Sequence, residues 1–365
     1  METSVANLGI ENLLHRLRNR LAIGEPSLLP ALRHVIDPIA KEERSRSNEE
    51  KSLCLIDGKN EAIGSHVIPD SYLRRLKEGG IAPTTPLMTK GGTVKLLPMG
   101  GKTEPVFPGY CNPCDTRLFP WERRHSFGGA NAVALQLMRT ADAFAHEYQL
   151  RARILGKISR AAAASDEIMN VLVRLDPATR ERFAQEISSL EVASGEVAEF
   201  HHEISGLAEA LRNTAGLSSR SKAAAHVRQV TVQTTPELQL ADVAWGPRDD
   251  VANVEDHVPV AVTLLAEDDR THLLLGSTAD GASLVDRIVD HIEATPSHFF
   301  AYGLHWLLRG TNYWFAKPSF LTNLEDRDVT KLKAELEFNR FIQASFAPGA
   351  GPERTPIIRP GNGWT

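Results

Sequence analysis

Three short stretches decide how the first third of the chain folds: CLID (54–57), SHVIP (65–69) and CNPCD (111–115). They contain all three cysteines of the protein. Around them the sequence has short apolar runs and Gly-Gly turns but no long helical period, so the segment contains little apolar material for a core. A module of this kind needs a bound metal or neighbouring domains to hold it together.

The spacing of the ligand-type residues predicts such a metal site. A tight turn aims two side chains separated by two residues at one ion, and two such turns complete a tetrahedral zinc site. Cys111 and Cys114 form one pair, and Cys54 forms the other with Asp57, whose carboxylate oxygen is an accepted zinc ligand. A degenerate or empty site, two simply packed cysteines, and a thiol redox pair are alternatives that the residues leave open.

Composition limits the class of protein. The 365 residues are 42% hydrophobic and 24% charged, which is typical of a soluble globular protein of two or three domains. No apolar run approaches the roughly 20 residues of a bilayer-spanning helix, so we expect no membrane association. The amino terminus lacks the pattern of a secretory signal, so we expect a cytoplasmic protein. In a reducing compartment a cysteine pair points to metal or redox chemistry.

The charges are unevenly distributed. Residues 54–128 carry ten Lys or Arg against seven Asp or Glu, and they form the net-basic part of the chain. Residues 223–365 carry 12 against 19, and a phosphate backbone would repel them. Nucleic acid, if it binds, is therefore expected near 54–128, although a small basic excess is also ordinary surface charge.

The hydrophobic periodicity predicts an α+β protein, with a small zinc-knuckle module between helical segments and an α/β domain at the carboxyl end. Within it we expect a strand at 53–56, helices with breaks near 164–165, 176–177 and 193–194, strands from 226 and over 258–277, and helices at 283–294 and 326–344. The predicted segments are 1–51 (helices), 52–128 (knuckle module), 129–222 (helical), 223–346 (α/β domain) and 347–365 (irregular tail).

The order of the three stretches resembles the HNH endonuclease superfamily, whose treble-clef (ββα-metal) module places a histidine and an apolar-apolar-Pro run between two knuckles. The resemblance covers residues 52–125 only. It implies structural zinc, and it implies that His66 is the general base that activates water. Asp115 then takes the place of a ligand to a catalytic Mg²⁺ or Mn²⁺ ion. Zinc binding, structural hydrogen bonding or simple burial are the other interpretations of His66.

This sequence departs from the family pattern at three places. Ser65 stands where an Asp often helps to hold the catalytic metal, Asp57 replaces a knuckle cysteine, and residues 103–110 lack the family's middle Asn. Glu122, seven residues after Asp115, lies on the same face if a helix continues there, and is a candidate accessory carboxylate. It is equally interpretable as a solvated surface residue.

The resemblance implies a metal-dependent endonuclease that cleaves nucleic-acid phosphodiester bonds, of a kind common in phage defence and mobile elements. Arg74, Arg75 and Lys77 follow the histidine motif and are candidate phosphate contacts, or ordinary surface residues. The alternative function is a catalytically inactive, zinc-stabilised binding or scaffolding protein. The helical and carboxy-terminal segments are candidate surfaces for a protein partner or a second copy of the chain.

Overall fold

The computed structural model describes residues 14, 17, 18, 20–49, 52–88, 94–99, 106–124, 126–129, 131–218, 223–233, 237–247, 257–295, 299 and 313–322. The helix predicted at 326–344 and the tail predicted at 347–365 lie outside these residues. The described helices are α1 (Leu29–Glu49), α2 (Asp70–Leu73), α3 (Asn112–Leu118), α4 (Trp121–Arg124), α5 (Ala132–Ala163), α6 (Asp166–Leu172), α7 (Pro177–Thr214), α8 (Ala282–Ala294) and α9 (Pro318–Thr322).

Helices α5 and α7 form a long antiparallel pair. The predicted breaks near 164–165 and 176–177 are confirmed: Ser165 caps α6 by accepting the Ile168 N–H, and Asp176 caps α7 by accepting the Thr179 N–H. The predicted break at 193–194 is wrong, because α7 continues through it. There the Ser194 hydroxyl donates to the Ala152 carbonyl of α5 at 3.1 Å, so a small residue lets the two helices approach closely.

Helix α1 packs against the end of this pair that lies away from the sheet. Its carboxylate Glu43 is fully buried, 3.3 Å from the Arg153 Nε and 2.5 Å from the Lys157 Nζ of α5. Buried Leu32 and Ile36 of α1 share an apolar cluster with Ile154 of α5. The amphipathic helix expected near the amino terminus thus buries its apolar side against the helical pair.

A seven-stranded sheet forms the second layer. Every pairing in it is antiparallel, in the order β3-β2-β9-β6-β7-β8-β5. Strands β1 and β4, which are not consecutive in the chain, form a separate two-stranded antiparallel sheet. The prediction of a mixed helix-and-sheet protein is confirmed, while the carboxy-terminal strands form an antiparallel sheet instead of alternating with helices. The strands are β1 (Gly64–His66), β2 (Thr84–Met88), β3 (Val94–Pro98), β4 (Val106–Pro108), β5 (His226–Gln233), β6 (Leu238–Pro247), β7 (His257–Ala266), β8 (Arg270–Ser277) and β9 (Tyr313–Ala316).

Helices cover both faces of the sheet. Side chains alternate along each strand, so Ala261 and Leu265 of β7 face the cluster that includes α5 and α7, whereas Val260 and Val262 face α8. The predicted strands of 258–277, their acidic turn and the helix at 283–294 are confirmed. The short strand predicted at 53–56 is wrong: Leu55 to Asp57 form a turn, and Leu53 alone makes a bridge, to Glu61.

Asp242 is a buried carboxyl group on the α8 face of the sheet. It lies opposite Val262 in β7, and its Oδ1 accepts the Val243 N–H at 2.8 Å. Among the described residues, the Oδ2 atom has no hydrogen-bond partner. Burial raises the pKa of Asp242 to about 7, and the hydrogen bond from the Val243 N–H, which lowers the pKa, only partly offsets this. The folded protein therefore holds this proton at pH values where an unfolded chain, with an ordinary Asp pKa near 3.9, has lost it.

The raised pKa of Asp242 predicts that stability falls as the pH rises from about 4 to 7. Asp242→Asn, which resembles the protonated acid, should raise the melting temperature at pH 8, with a gain on the order of 3 kcal/mol that shrinks towards pH 4. Thermal unfolding followed by circular dichroism at several pH values measures this. Asp290→Asn, an exposed position on α8, is the matched control; a destabilised Asp242→Asn protein at pH 8 would contradict the assignment.

Candidate metal centre

The first knuckle is a tight turn closed by its own backbone. The Cys54 N–H donates to the Asn60 carbonyl at 2.8 Å, and the Gly58 N–H donates to the Cys54 carbonyl at 2.8 Å. Gly58 has a φ of +62°, in the left-handed region that glycine adopts without strain. The Asp57 carboxylate accepts the Lys59 and Asn60 N–H groups at 2.8 and 3.0 Å. These bonds fix Asp57 beside Cys54.

The second knuckle is the start of helix α3. Cys111 precedes the helix in an extended conformation, Pro113 occupies its first turn, and the Asp115 N–H donates to the Cys111 carbonyl at 2.9 Å. Cys114 therefore lies in the first turn, on the same side as Cys111. This is the local arrangement that the spacing in CNPCD predicts.

The pairing of β1 with β4 brings the two knuckles together. The Leu55 N–H donates to the Gly109 carbonyl at 2.9 Å, and the Ile63 N–H donates to the Tyr110 carbonyl at 2.8 Å. The Ser65 hydroxyl accepts the Tyr110 N–H at 3.1 Å. Ser65, which stands where the resembling family often has an Asp, thus fixes the strand that leads into the second knuckle.

The four predicted ligands converge. One ligand atom from each of Cys54, Asp57, Cys111 and Cys114 lies within 4.8 Å of the other three. The Asp57 Oδ2 is 3.3 Å from the Cys111 Sγ and 3.9 Å from the Cys114 Sγ, and all three cysteines are buried free thiols. Three sulfurs and one carboxylate oxygen can hold a metal ion, and zinc suits this donor set.

The electrostatics of the centre differ from ligand to ligand. The Lys59 backbone N–H, the Asn60 side chain and the Asn60 N–H hold the pKa of Asp57 well below its usual range. Burial alone raises the pKa of Cys54, but backbone N–H groups, first that of Asp57, outweigh it and leave the pKa lowered. Burial and the neighbouring thiols raise the pKa of Cys114 to about 12. A bound cation has to displace this proton, so metal binding releases protons.

The candidate catalytic residues do not join the centre. His66 ends β1, partly buried, opposite Val106 of β4. Asp115 follows Cys114 on α3, and Glu122 lies on α4. Among the described residues, the Cys/Asp centre is the single group of three or more His, Cys, Asp or Glu side chains that could share an ion. His66, Asp115 and Glu122 therefore form no second group of this kind.

Both carboxylates instead bind one buried arginine. The Asp115 Oδ1 accepts from the Arg139 Nη2 at 3.1 Å, and Glu122 is paired with the other terminal nitrogen. The Arg139 side chain is 1% exposed, and its guanidinium carbon lies 3.4 Å from the centroid of the Phe119 ring. Arg139 thus neutralises both groups and fastens α3 and α4 to α5. Sequence analysis did not identify Arg139, because no spacing rule connects it with Glu122 and Asp115, which lie 17 and 24 positions earlier in the chain.

The three candidate phosphate contacts differ in accessibility. Arg74 is 66% exposed and paired with Asp70 one helical turn earlier. The Arg75 side chain is 9% exposed, lies 4.7 Å from the centroid of the Tyr72 ring and 3.9 Å from Asp268, so it has little surface to offer a ligand. Lys77 is exposed. Arg74 and Lys77 are the two of the three that a polyanion could reach.

Buried polar contacts connect the centre to the rest of the fold. The Tyr110 hydroxyl, next to Cys111, donates to the Asp142 Oδ2 at 2.8 Å, and Asp142 also pairs with Arg212 of α7. Tyr72 donates at 3.3 Å to Glu267 of the β7–β8 turn. The metal centre is therefore anchored to both the helical pair and the sheet, an arrangement that the sequence pattern did not reveal.

Comparison with known proteins adds no relative. Neither protein-family models, nor curated proteins, nor solved structures gave a match to this chain. Within the part of the chain that the structure describes, no helix combines the length and the apolar character needed to cross a bilayer. What the centre does chemically has to be argued from its own geometry.

The centre should bind about one zinc ion per chain. Asp57→Asn keeps the Oδ1 acceptor that closes the turn but loses the anionic oxygen, so zinc affinity should fall by about 10- to 100-fold while the protein remains folded. Asp57→Cys should retain zinc, because it completes four thiolates. Metal content by mass spectrometry and competition with a chromogenic chelator measure both effects.

Glu61→Gln, an exposed neighbour of the first knuckle, is the control for the zinc experiment and should leave the zinc affinity unchanged. Cys111→Ser should lose the metal and lower the melting temperature, since metal binding and folding are linked. A wild-type protein that binds no zinc after refolding in its presence would refute the metal centre.

Arg139→Met should destabilise the protein by about 3 kcal/mol, because it leaves Asp115 and Glu122 without their shared cation. Adding Asp115→Asn and Glu122→Gln should recover part of the loss. Urea denaturation measures the free energies of unfolding. Arg123→Met, which removes an exposed arginine of α4, is the control, and an Arg139→Met protein as stable as the wild type would show that the pairing contributes nothing.

Proposed function

We propose that the chain is a zinc-stabilised nuclease of HNH type, in which residues 52–125 form a treble clef and His66 is the general base. The observation that carries the proposal is the placement of His66. The knuckle at Cys54, the paired strands β1 and β4 and the helix that begins after Cys111 occur in the order of a ββα-metal module, while β2 and β3, which lie between β1 and β4 in sequence, belong to the seven-stranded sheet. His66 ends β1, the first of the two paired strands, and is not among the four residues that could hold a metal ion.

The reaction proposed for this site is hydrolysis of a phosphodiester. His66 accepts a proton from water, the water oxygen attacks phosphorus, the P–O ester bond breaks, and the leaving oxygen takes up a proton. Imidazole suits this role because its pKa lies close to neutral pH. His66 is partly exposed, so water and a phosphate can reach it, whereas the buried cysteines serve structure.

Asp115 is the residue proposed to bind the catalytic Mg²⁺ or Mn²⁺ ion, with Glu122 as accessory carboxylate. A divalent ion there supplies stabilisation of the charge that develops on the leaving oxygen. Asp115 and Glu122 remain 22% and 27% exposed, so each has a face that is not covered by Arg139. The exposed cations Arg74 and Lys77 are the proposed phosphate contacts.

A second candidate function is favoured by Arg139. A guanidinium that already neutralises Asp115 and Glu122 competes with a divalent ion for the same oxygens. With Ser65 bound to the backbone of Tyr110, no further carboxylate stands beside His66 in the motif. On this reasoning the module is a zinc-stabilised scaffold without catalysis, and its residues hold a binding surface in place.

A nicking assay on supercoiled plasmid, and the same assay on single-stranded RNA, separates the two functions. The nuclease predicts cleavage that needs Mg²⁺ or Mn²⁺ and that falls at least about 100-fold in His66→Ala, because general base catalysis is lost. Zinc content and melting temperature should stay at wild-type values in that variant. If the module is a scaffold, neither the wild type nor His66→Ala should cleave DNA or RNA.

His202→Ala is the matched control, since it removes an exposed histidine from α7 and should leave cleavage unchanged. Cleavage that persists in His66→Ala would exclude His66 as the base. Zinc-loaded wild-type protein that cleaves neither DNA nor RNA with either ion would favour the scaffold.

A further inference from the structure

Strand β5 is the last strand at one end of the sheet that the structure describes. All eight of its residues pair with β8, from His226 opposite Ser277 to Gln233 opposite Arg270, with no bulge. In the part of the chain that the structure describes, no strand pairs with the opposite side of β5. The backbone N–H and C=O groups on that side need hydrogen-bond partners, which water or another strand must supply.

The two edge strands of the sheet differ in how they are protected from pairing with a further strand. Strand β3, at the other edge, is only five residues long and includes Lys95 and Pro98, residue types that prevent further strand pairing. Strand β5 contains no proline and no lysine. Its exposed side chains, Gln229, Thr231 and Gln233, are all uncharged. The β5 edge is therefore open to another strand in a way that the β3 edge is not.

The cationic residues of β5 do not block the edge either. Arg228 is paired with Asp286 of α8, and the His226 Nε2 lies 2.9 Å from the same carboxylate. Both side chains are thus drawn towards α8, on the face of the sheet. The rest of the strand, from Gln229 to Gln233, alternates exposed polar residues with Val230 and Val232, which pack on the α8 side.

We infer that β5 binds β5 of a second copy of this chain, antiparallel across a two-fold axis, so that the two sheets become one. A two-fold axis perpendicular to the sheet makes each face of one sheet continuous with the same face of the other. Each residue of β5 must therefore lie opposite a residue whose side chain is on the same face. Centring the axis on Val230 satisfies this rule. It places Val230 opposite its own copy, Gln229 opposite Thr231, and Arg228 opposite Val232.

This register explains why a second copy is the partner. Valine pairs well with valine across antiparallel strands. The Gln229 and Thr231 side chains are hydrogen-bonded to each other and to the His272 Nδ1 of β8, so they bring no charge to the edge. Centring on Arg228 instead would oppose two like charges, which is unfavourable. The strand is thus complementary to itself at Val230. An edge contact of this length is smaller than a standard interface, so we expect a dimer that dissociates at micromolar concentrations.

Sedimentation velocity over a hundredfold range of protein concentration tests the dimer. The wild type should show a reversible monomer–dimer equilibrium. Thr231→Lys and Gln229→Lys each place a charge at the centre of the edge and should weaken dimerisation at least tenfold. Gln185→Lys, an exposed position on α7, is the matched control and should dimerise like the wild type. Circular dichroism melting checks that all three variants are folded.

Disulfide trapping tests the register. Gln229→Cys and Thr231→Cys proteins, mixed under mild oxidation, should form a crosslinked heterodimer, because opposite residues in the inferred register have Cβ atoms about 5 Å apart. Either variant alone should crosslink far more slowly. The three native cysteines are buried, and oxidation of wild-type protein measures the background crosslinking that they cause.

Three results would overturn the inference. One is a wild type that stays monomeric at the highest concentration, which would leave the edge to water or to a different protein. Another is a dimer that both lysine variants leave unchanged, which would place the interface elsewhere. The third is a mixture of the two cysteine variants that crosslinks no faster than either alone, which would exclude this register.

Discussion

Buried charges on helix α5 are the constraint on which the rest of the structure depends. A charge removed from water must be paired, and the buried charged side chains Arg139, Asp142 and Glu147 of α5 each have a polar partner on a different element, Glu147 in addition to its ion pair with Arg151 of the same helix. Arg139 pairs with Asp115 of α3 and Glu122 of α4, and Asp142 accepts from Tyr110 beside the second knuckle. Further along the helix, Glu147 accepts from Tyr313 of β9 at 3.0 Å. These pairings fix where the metal module and the sheet lie relative to the helix.

The metal centre therefore has two kinds of support. Its ligands are aimed by local backbone bonds within each knuckle, which act over a few residues. Its position depends on distant buried contacts, from Tyr110 to Asp142 and from Tyr72 to Glu267. Glu267 also accepts from Arg270 at 2.6 Å and from the Phe127 N–H, so the β7–β8 turn holds two parts of the module at once. A bound ion would rigidify a segment that the surrounding fold already positions.

The pairing of Asp115 and Glu122 with Arg139 is where fold and function compete. The same carboxylates that would bind a catalytic cation are neutralised by a buried guanidinium that joins three helices. A site can serve both purposes only if the free face of each carboxylate suffices for an ion.

The sequence by itself determined what depends on neighbouring residues: the two ligand pairs at 54–57 and 111–114, the capped helices at Ser165 and Asp176, and the strand pair around the acidic turn at 267–270. Spacing and capping are local, so they can be recognised along the chain. Only the tertiary structure decided that the chain at 53–56 is not a strand, that α7 passes through 193–194, and that Arg139 and Asp142 hold the module. Their partners lie tens of residues away, and pairing at that separation depends on how the helices and sheet pack.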